Sequence, residues 1–247
     1  MYEKLNDYEI YVGSKCDLIL IIDKYLCKNF NENKLNIVSG NPEVLLNSEN
    51  LESLNGFLDR KETLIIPDGV GVVLLLKILK KNITQKIAGI EIMEEVLKIC
   101  DNNNLKIYFL GATEGNLNLA IKNIQLKYQN IKVCGYNDGY FDNEKVQDIV
   151  LDINRAKPDV LFVAMGSPRQ EIFINKYIDE LNCRLFMGVG GSFDLYAGQV
   201  KRAPNVMINL GLEWLYRVVN EPFRTKRLSS IPKFIFRSIN YHLKGKS

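Results

Sequence analysis

Histidine is nearly absent from this 247-residue chain, and the one that is present, His242, is the sixth residue from the end. A Ser-His-Asp triad and a multi-histidine metal site are therefore close to excluded. A general base in the body of the chain must then be a carboxylate or, in second place, a lysine, tyrosine or cysteine.

Cysteine is sparse and shows no pairing pattern. The cysteines are odd in number, widely spaced and without a C-x-x-C pair: Cys16, Cys27, Cys100, Cys134 and Cys183. This spacing argues against a disulfide framework and against a zinc site, and it fits a reducing cytoplasm.

Long hydrophobic runs are missing as well. The longest, residues 18–22 and 70–76, fall far short of the ~20 residues that a membrane span needs. The first residues, MYEKLNDYEIYVG, lack the basic region and apolar stretch of a signal peptide. We expect a cytoplasmic protein of one large domain, or of one domain with an appendage.

Charge is distributed unevenly along the chain. Residues 201–247 hold ten lysines and arginines against two acids, a net +8, so residues 1–200 carry −5 of the total of +3. In this tail the basic residues interleave with apolar ones, which suits an anionic lipid surface. Nucleic acid is the alternative anion, but no base-reading module is present. A C-terminal helix that only packs on the domain explains the pattern equally well.

Apolar strands that end at a glycine and lead into a helix recur along the chain. The pattern predicts strands near 106–110 and 159–165, a helix at 142–157, and a helix face formed by Leu117, Ile121 and Ile124. Such alternation predicts an α/β fold, a Rossmann-like parallel sheet with helices on both faces. Ligands then bind at the carboxyl ends of the strands.

Two of the glycine junctions have competing interpretations. The loop GVGGS, residues 188–192, could hold a phosphate on its backbone N–H groups, although glycine is also common where a strand meets a helix. No G-x-G-x-x-G fingerprint or P-loop is present. In GSPRQE, the local pattern favours a capping box in which Ser167 caps a helix, Pro168 takes its first position and Gln170 completes the box.

Asp68 follows an apolar strand in LIIPDGVGVVLLL and precedes a helix. It is either a helix cap or turn carboxylate, or a base at the mouth of the sheet. In the second interpretation, Pro67 stiffens the approach, and Gly69 and Gly71 leave room for a bulky substrate. The local pattern leaves both open.

Seven segments, in this order and spacing, resemble the WecG/TagA/CpsF glycosyltransferases, glycosyltransferase family 26. The resemblance runs from about residue 8 to about residue 237 and is most specific between Gly188 and Arg227. The segments are IIPDGVGVV, AGIEIMEEV, IYFLGATEG, GYF, LFVAMGSPRQE, MGVGGSFDLYAGQVKRAP and GLEWLYRVVNEPFRTKR.

The resemblance implies an inverting glycosyltransferase that needs no metal and no other cofactor. Such an enzyme moves a sugar from a UDP donor to a polyprenyl-diphosphate-linked sugar at the cytoplasmic membrane face. N-acetylmannosamine and an undecaprenyl-diphosphate-GlcNAc acceptor of teichoic acid synthesis are the first expectation, and a uronic acid or hexose for another surface polysaccharide is the alternative. A non-catalytic nucleotide- or lipid-binding protein on the same fold is a further alternative. No nucleic acid is expected as a partner, and assembly into a homo-oligomer is left open.

The family's functional residues fall on particular positions of this chain. Asp68 takes the place of the catalytic base, and Gln170 that of the active-site glutamine, which reverses the local preference for a cap. The remaining implied catalytic residues are basic and close over the diphosphate: Arg217, Arg224 and Arg227. The implied substrate-binding residues are Ser39, Asn41, Tyr140, Gly190, Gly191, Asp194 and Arg202.

The family's common Thr-x-Asn near the first strand is Ser39 and Asn41 here, in VSGNPE, so the hydroxyl is kept and the methyl is lost. The resemblance also suggests how the chain divides. Residues 1–209 are expected to form the catalytic domain, and residues 210–247 a basic amphipathic appendage that docks on the membrane and closes the active site.

Overall fold

An eight-stranded sheet forms the centre of the computed structural model, which describes residues 1–27, 34–209, 212–220 and 228–244. The strand order is β1-β2-β4-β3-β8-β7-β5-β6. Only the β1–β2 pair is antiparallel among these neighbours. The strands are β1 (Tyr2–Leu5), β2 (Tyr8–Tyr11), β3 (Leu35–Gly40), β4 (Thr63–Pro67), β5 (Lys106–Gly111), β6 (Lys132–Asn137), β7 (Val160–Ala164) and β8 (Leu185–Gly188).

Helices cover both faces of the sheet, which confirms the predicted α/β class. One face packs against α1, α4, α5 and α8, and the other against α2, α3, α6, α7 and α11. The helices are α1 (Lys15–Cys27), α2 (Pro42–Asn50), α3 (Val70–Ile78), α4 (Gly89–Asn103), α5 (Glu114–Lys127), α6 (Val146–Ala156), α7 (Arg169–Tyr177), α8 (Ser192–Tyr196), α9 (Asn205–Asn209), α10 (Glu213–Asn220) and α11 (Ser230–Lys244).

The central strands are apolar throughout because both of their faces are buried. In β7, Val160 and Phe162 belong to one core cluster, and Leu161 and Val163 to the other. Alternate side chains of a strand point to opposite faces, so a strand covered on both faces needs no polar position. The strands predicted near 106–110 and 159–165 are confirmed as β5 and β7.

The order of strands places a switch point between β3 and β8. From β3 the chain adds β4 on one side, and it later adds β8 on the other, next to β7. The chain goes from β3 to α2 on one face of the sheet and from β8 to α8 on the other, so a crevice opens at the carboxyl ends of these two strands, where ligands of open α/β sheets bind.

The C-terminal helix α11 packs on α2 and α3. Its Phe234 is fully buried in the core. Polar contacts hold it as well: Arg237 forms an ion pair with Glu49 at 3.1 Å, and Asn6 donates to Ser238 at 3.2 Å. The eight strands of the sheet lie within residues 1–209, and the division at residue 209 stays a prediction.

Candidate active site

A cavity of about 280 Å³ lies at the carboxyl ends of β3, β4 and β8, the edge of the sheet where the sequence predicts a ligand site. Helices α10 and α11 close part of its wall. Its lining includes six of the sequence-predicted residues, which are Ser39, Asn41, Asp68, Gln170, Gly190 and Gly191.

Asp68 follows the last residue of β4, and its side chain reaches the start of α4. Its Oδ2 accepts a hydrogen bond from the backbone N–H of Gly89 at 3.1 Å. Asp68 is not the cap of the helix that follows it, because α3 has Gly69 as its N-cap and no side-chain cap bond. The carboxylate is instead held at the N-terminus of α4, where a negative charge is favoured, and it lines the cavity.

Ser39, near the end of β3, and the Asp68 carboxylate both lie close to Gly89. A Cβ on Gly89 would lie 2.2 Å from Oγ of Ser39 and 3.3 Å from Oδ2 of Asp68. Only glycine at residue 89 therefore lets the hydroxyl and the carboxylate share this corner of the cavity. Sequence reasoning missed Gly89, although a glycine at the start of the apolar helix AGIEIMEEV is a visible signal.

Asn41 has a structural role that accounts for its side chain. Its Oδ1 accepts from the backbone N–H groups of Glu43 and Val44, both at 3.1 Å, and so caps α2. Asparagine is among the best residues at this position. Asn41 still lines the cavity beside Ser39.

Gln170 is not part of a capping box, so the interpretation of GSPRQE by local pattern is wrong. Helix α7 begins at Arg169, with Pro168 as an N-cap that makes no side-chain cap bond. The hydroxyl of Ser167 accepts a hydrogen bond from Nδ2 of Asn47, a residue of α2, at 3.2 Å. The side chain of Gln170 reaches the loop after β8, where its Oε1 accepts from the backbone N–H of Gly190 at 3.0 Å.

Glycines shape the loop around this amide. A Cβ on Gly188 would lie 2.7 Å from Nε2 of Gln170, so the amide packs directly on the backbone there. Gly190 has a φ of +51°, which favours glycine, and a Cβ there would meet nothing within 4 Å. The loop therefore offers an open backbone surface to a ligand.

Gly71 lines the cavity as the sequence suggests, but the position that a Cβ would take there is filled by the protein itself. A Cβ there would lie 2.8 Å from Pro42 Cγ and 3.2 Å from Ile231 Cγ2. Gly71 thus lets α11 pack closely on α3. A glycine is favoured at residue 69 because the backbone φ of +95° there disfavours residues with a side chain.

An ion pair joins the body of the protein to α10 at the wall of the cavity. Lys86 Nζ lies 3.2 Å from Oε2 of Glu213, which is buried. Both residues line the cavity, together with Trp214. Sequence reasoning missed this pair, and nothing local to either residue signals it, because they are 127 residues apart.

Three predicted substrate-binding residues lie outside the cavity lining. Oδ1 of Asp194, in α8, accepts from Asn116 Nδ2 at 2.7 Å. Arg202 forms an ion pair with Glu91 at 2.8 Å. The side chain of Tyr140 is 73% exposed. Their roles toward a nucleotide stay predictions.

The side chains of the three predicted catalytic arginines lie outside the described part of the chain. Arg217 belongs to α10, but its side chain is outside the described part of the chain, and Arg224 and Arg227 lie in the segment 221–227, also outside it. Within the described ranges, no cluster of three or more histidine, cysteine, aspartate or glutamate side chains could hold a metal ion.

An aspartate, a serine, an amide and a glycine loop meet at the switch point of a parallel sheet, and together they define the candidate active site of an α/β enzyme. The comparison with known families agrees with the resemblance seen in the sequence. The model of the glycosyl transferase WecG/TagA/CpsF family matches residues 11–247. The chain belongs to this family, and it is a glycosyltransferase.

Three of the curated relatives share the name N-acetylglucosaminyldiphosphoundecaprenol N-acetyl-beta-D-mannosaminyltransferase. The protein of Bacillus subtilis (strain 168) is 37% identical over 226 residues, covering 91% of this chain and 86% of the relative. That of Staphylococcus aureus (strain MW2) is 38% identical over 213 residues, with 85% and 81% covered. That of Bacillus spizizenii (strain ATCC 23059 / NRRL B-14472 / W23) is 35% identical over 199 residues, with 81% and 76% covered.

Proposed function

We propose that this protein transfers N-acetylmannosamine from a UDP donor to a hydroxyl of undecaprenyl-diphosphate-linked GlcNAc, in teichoic acid or related surface polysaccharide synthesis. The name that the relatives share supports this acceptor and this sugar. The observation that carries the proposal is the placement of Asp68 in one cavity with Ser39 and the Gly190 loop.

Asp68 is the general base of the proposed reaction. Its carboxylate takes the proton of the acceptor hydroxyl as the hydroxyl oxygen bonds to the anomeric carbon. The bond from that carbon to the UDP oxygen breaks on the opposite side, so the configuration inverts and UDP leaves. A carboxylate has about four lone-pair sites, so the bond from Gly89 to Oδ2 uses only part of its capacity to accept.

The leaving diphosphate is stabilised without a metal ion in this proposal. The backbone N–H of Gly191, in the loop that Gln170 holds through Gly190, and the guanidinium groups of Arg217, Arg224 and Arg227 supply the positive potential. The nucleotide lies toward Tyr140 and Asp194, whose carboxylate accepts from the uracil N–H. Arg202, held by Glu91, adds positive charge to this side of the site.

We further propose that the protein works as a peripheral protein on the inner face of the cell membrane. Among the described helices, none has the length and apolar character to span a bilayer. The side of α11 away from the core exposes Phe236 and Leu243, at 70% and 65%, with Lys233 and Lys244 on the same helix. Exposed apolar residues beside basic ones suit an anionic lipid surface.

A donor panel tests the proposal. Purified protein is mixed with UDP-sugars, among them N-acetylmannosamine, a uronic acid and a hexose, and with a short-lipid analogue of undecaprenyl-diphosphate-GlcNAc. We expect release of UDP only when both the acceptor and UDP-N-acetylmannosamine are present, and a disaccharide product by mass spectrometry. Transfer of a different sugar, without transfer of N-acetylmannosamine, would show that the proposed donor is wrong. Nucleotide binding with no transfer from any donor would favour a non-catalytic protein.

A further inference from the structure

Glu171 is a buried acid for which the proposed reaction has no use. Its side chain is 4% exposed, and it is not among the residues that line the cavity. Its Oε1 accepts a hydrogen bond from Nε2 of Gln170 at 2.7 Å. Burying a carboxyl group is costly unless its hydrogen bonds compensate, so the position calls for a reason beyond packing.

The orientation of the Gln170 amide gives that reason. The backbone N–H of Gly190 can only donate, so the atom of Gln170 that faces it must be Oε1. The other end of the amide must then be Nε2, and it needs an acceptor. Oε1 of Glu171 accepts whether the carboxyl is ionised or carries its proton on Oε2. Together the two partners allow one orientation of the amide.

We infer that Glu171 is a positioning residue, which fixes the amide of Gln170 so that it binds Gly190 and holds the loop after β8 against the cavity. The inference rests on the proposed function for its effect on sugar transfer. After these two bonds, the amide keeps one N–H and one lone pair for a substrate.

The amide of Gln170 is the main polar contact of the Glu171 carboxyl. Burial raises the pKa of this carboxyl, and the hydrogen bond from Gln170 opposes the rise. Among the described residues, the second oxygen, Oε2, is buried and has no hydrogen-bond partner. The carboxyl is therefore held toward the amide, as expected of a group that supports an active-site residue.

Hydrogen exchange of the Gly190 amide tests the inference without any substrate. Glu171→Ala frees Gln170 to rotate, so the Gly190 N–H should lose protection and exchange about tenfold faster. Glu171→Gln keeps an oxygen acceptor at the same place and should leave the protection within about threefold of the wild type. Unchanged exchange in Glu171→Ala would overturn the inference.

Turnover gives the second test, with a matched control on the same helix. Ile174 is buried in α7, and Ile174→Ala lowers stability without touching the amide. We expect Glu171→Ala to reduce kcat about tenfold more than Ile174→Ala does when both are compared per folded molecule, and Glu171→Gln to restore most of it. Equal kcat values for Glu171→Ala and Ile174→Ala would contradict a positioning role.

A double-mutant cycle asks whether Glu171 acts through Gln170. If it does, adding Glu171→Ala to Gln170→Ala should lower kcat by less than about twofold, since the amide is already gone. A full tenfold further loss would overturn the inference. If the wild type transfers no sugar at all, the proposed function fails, while the exchange of the Gly190 amide still decides whether Glu171 holds Gln170.

Discussion

Asp68 combines two requirements that are hard to meet with one side chain. A base must be held in place, and it must also be able to accept a proton. One of its carboxylate oxygens receives the N–H of Gly89 at the start of α4, which fixes the side chain through a rigid element. Because a carboxylate has about four lone-pair sites, being held by this contact is compatible with accepting from a substrate hydroxyl.

Substituting Asp68 by asparagine tests the base. In Asp68→Asn the new amide oxygen can still accept from Gly89, but the side chain cannot take up a proton. We expect turnover to fall by ~10²–10⁴ while UDP affinity, measured by calorimetry, changes little. Asp59→Asn, a carboxyl outside the cavity, is the control. Wild-type turnover in Asp68→Asn would remove this residue from the mechanism.

The close contacts around Gly89, which are visible only in the structure, lead to a further prediction. In Gly89→Ala the new methyl group would lie 2.2 Å from Oγ of Ser39, so the serine or the start of α4 must move. We expect turnover to fall at least about tenfold, because a shift of about 1 Å at a reacting group has such effects.

Gly115→Ala is the matched control, since a Cβ at this helical glycine meets nothing within 4 Å. It should gain up to about 1 kcal/mol of stability, from the better helix propensity of alanine, and keep wild-type turnover. If both alanine variants turn over alike, the close contact between residues 39 and 89 does not matter for activity.

At the scale of elements, strands were easier to predict than the contacts of the loops that follow them. The apolar runs of β5 and β7 stand out in the sequence because both faces are buried. The residues Ser167 and Gln170 have the spacing of a capping box, yet Gln170 binds Gly190, 20 residues further on. Local pattern cannot distinguish these outcomes, since the deciding partner is distant in the sequence, in the loop after β8. Lys86 and Glu213 could not be paired for the same reason.

Helix α11 offers a pair of phenylalanines with opposite surroundings. Phe234 is fully buried, and Phe236 is 70% exposed. Phe234→Ala should cost ~3–5 kcal/mol of packing, and α11 should detach, so its amides exchange faster and Ser230 and Ile231 leave the cavity wall. Phe236→Ala should keep α11 docked and change stability by less than about 0.5 kcal/mol.

Hydrogen exchange of the α11 amides, measured together with turnover of Phe234→Ala, checks this prediction. Protected amides in Phe234→Ala would mean that the polar contacts of Arg237 and Ser238 are enough to hold the helix.

At the scale of the whole molecule, the basic tail and the acidic body have separate tasks in the proposed function. Ending the chain at Asn209 should reduce binding to anionic vesicles, since each basic residue near such a surface contributes about 1 kcal/mol. Turnover should also collapse on a short-lipid acceptor, for which membrane docking is irrelevant.

Circular dichroism must first show that the truncated protein is folded, and raised salt should weaken vesicle binding of the full chain. A folded truncation with full turnover on the short-lipid acceptor would mean that the tail is at most an anchor.

Chelation tests how the charge of the leaving group is balanced. If backbone N–H groups and arginines stabilise the diphosphate, activity should persist in excess EDTA. The measurement is UDP release before and after chelation. Loss of activity that Mg²⁺ or Mn²⁺ restores would contradict this prediction, whereas loss that neither ion restores would point to damage by the chelator.

The position of β8 has a consequence for how the protein is made. β8 (Leu185–Gly188) pairs with β3 on one side and with β7 on the other. Before β8 is made, the preceding strands can pair only as two separate half-sheets, each with an open edge that invites mispairing. The sheet can close only after β8 has left the ribosome, and the Gly190 loop, which follows β8, then completes the cavity that Asp68 lines. A nascent chain therefore has no complete cavity until β8 and the loop that follows it have been made.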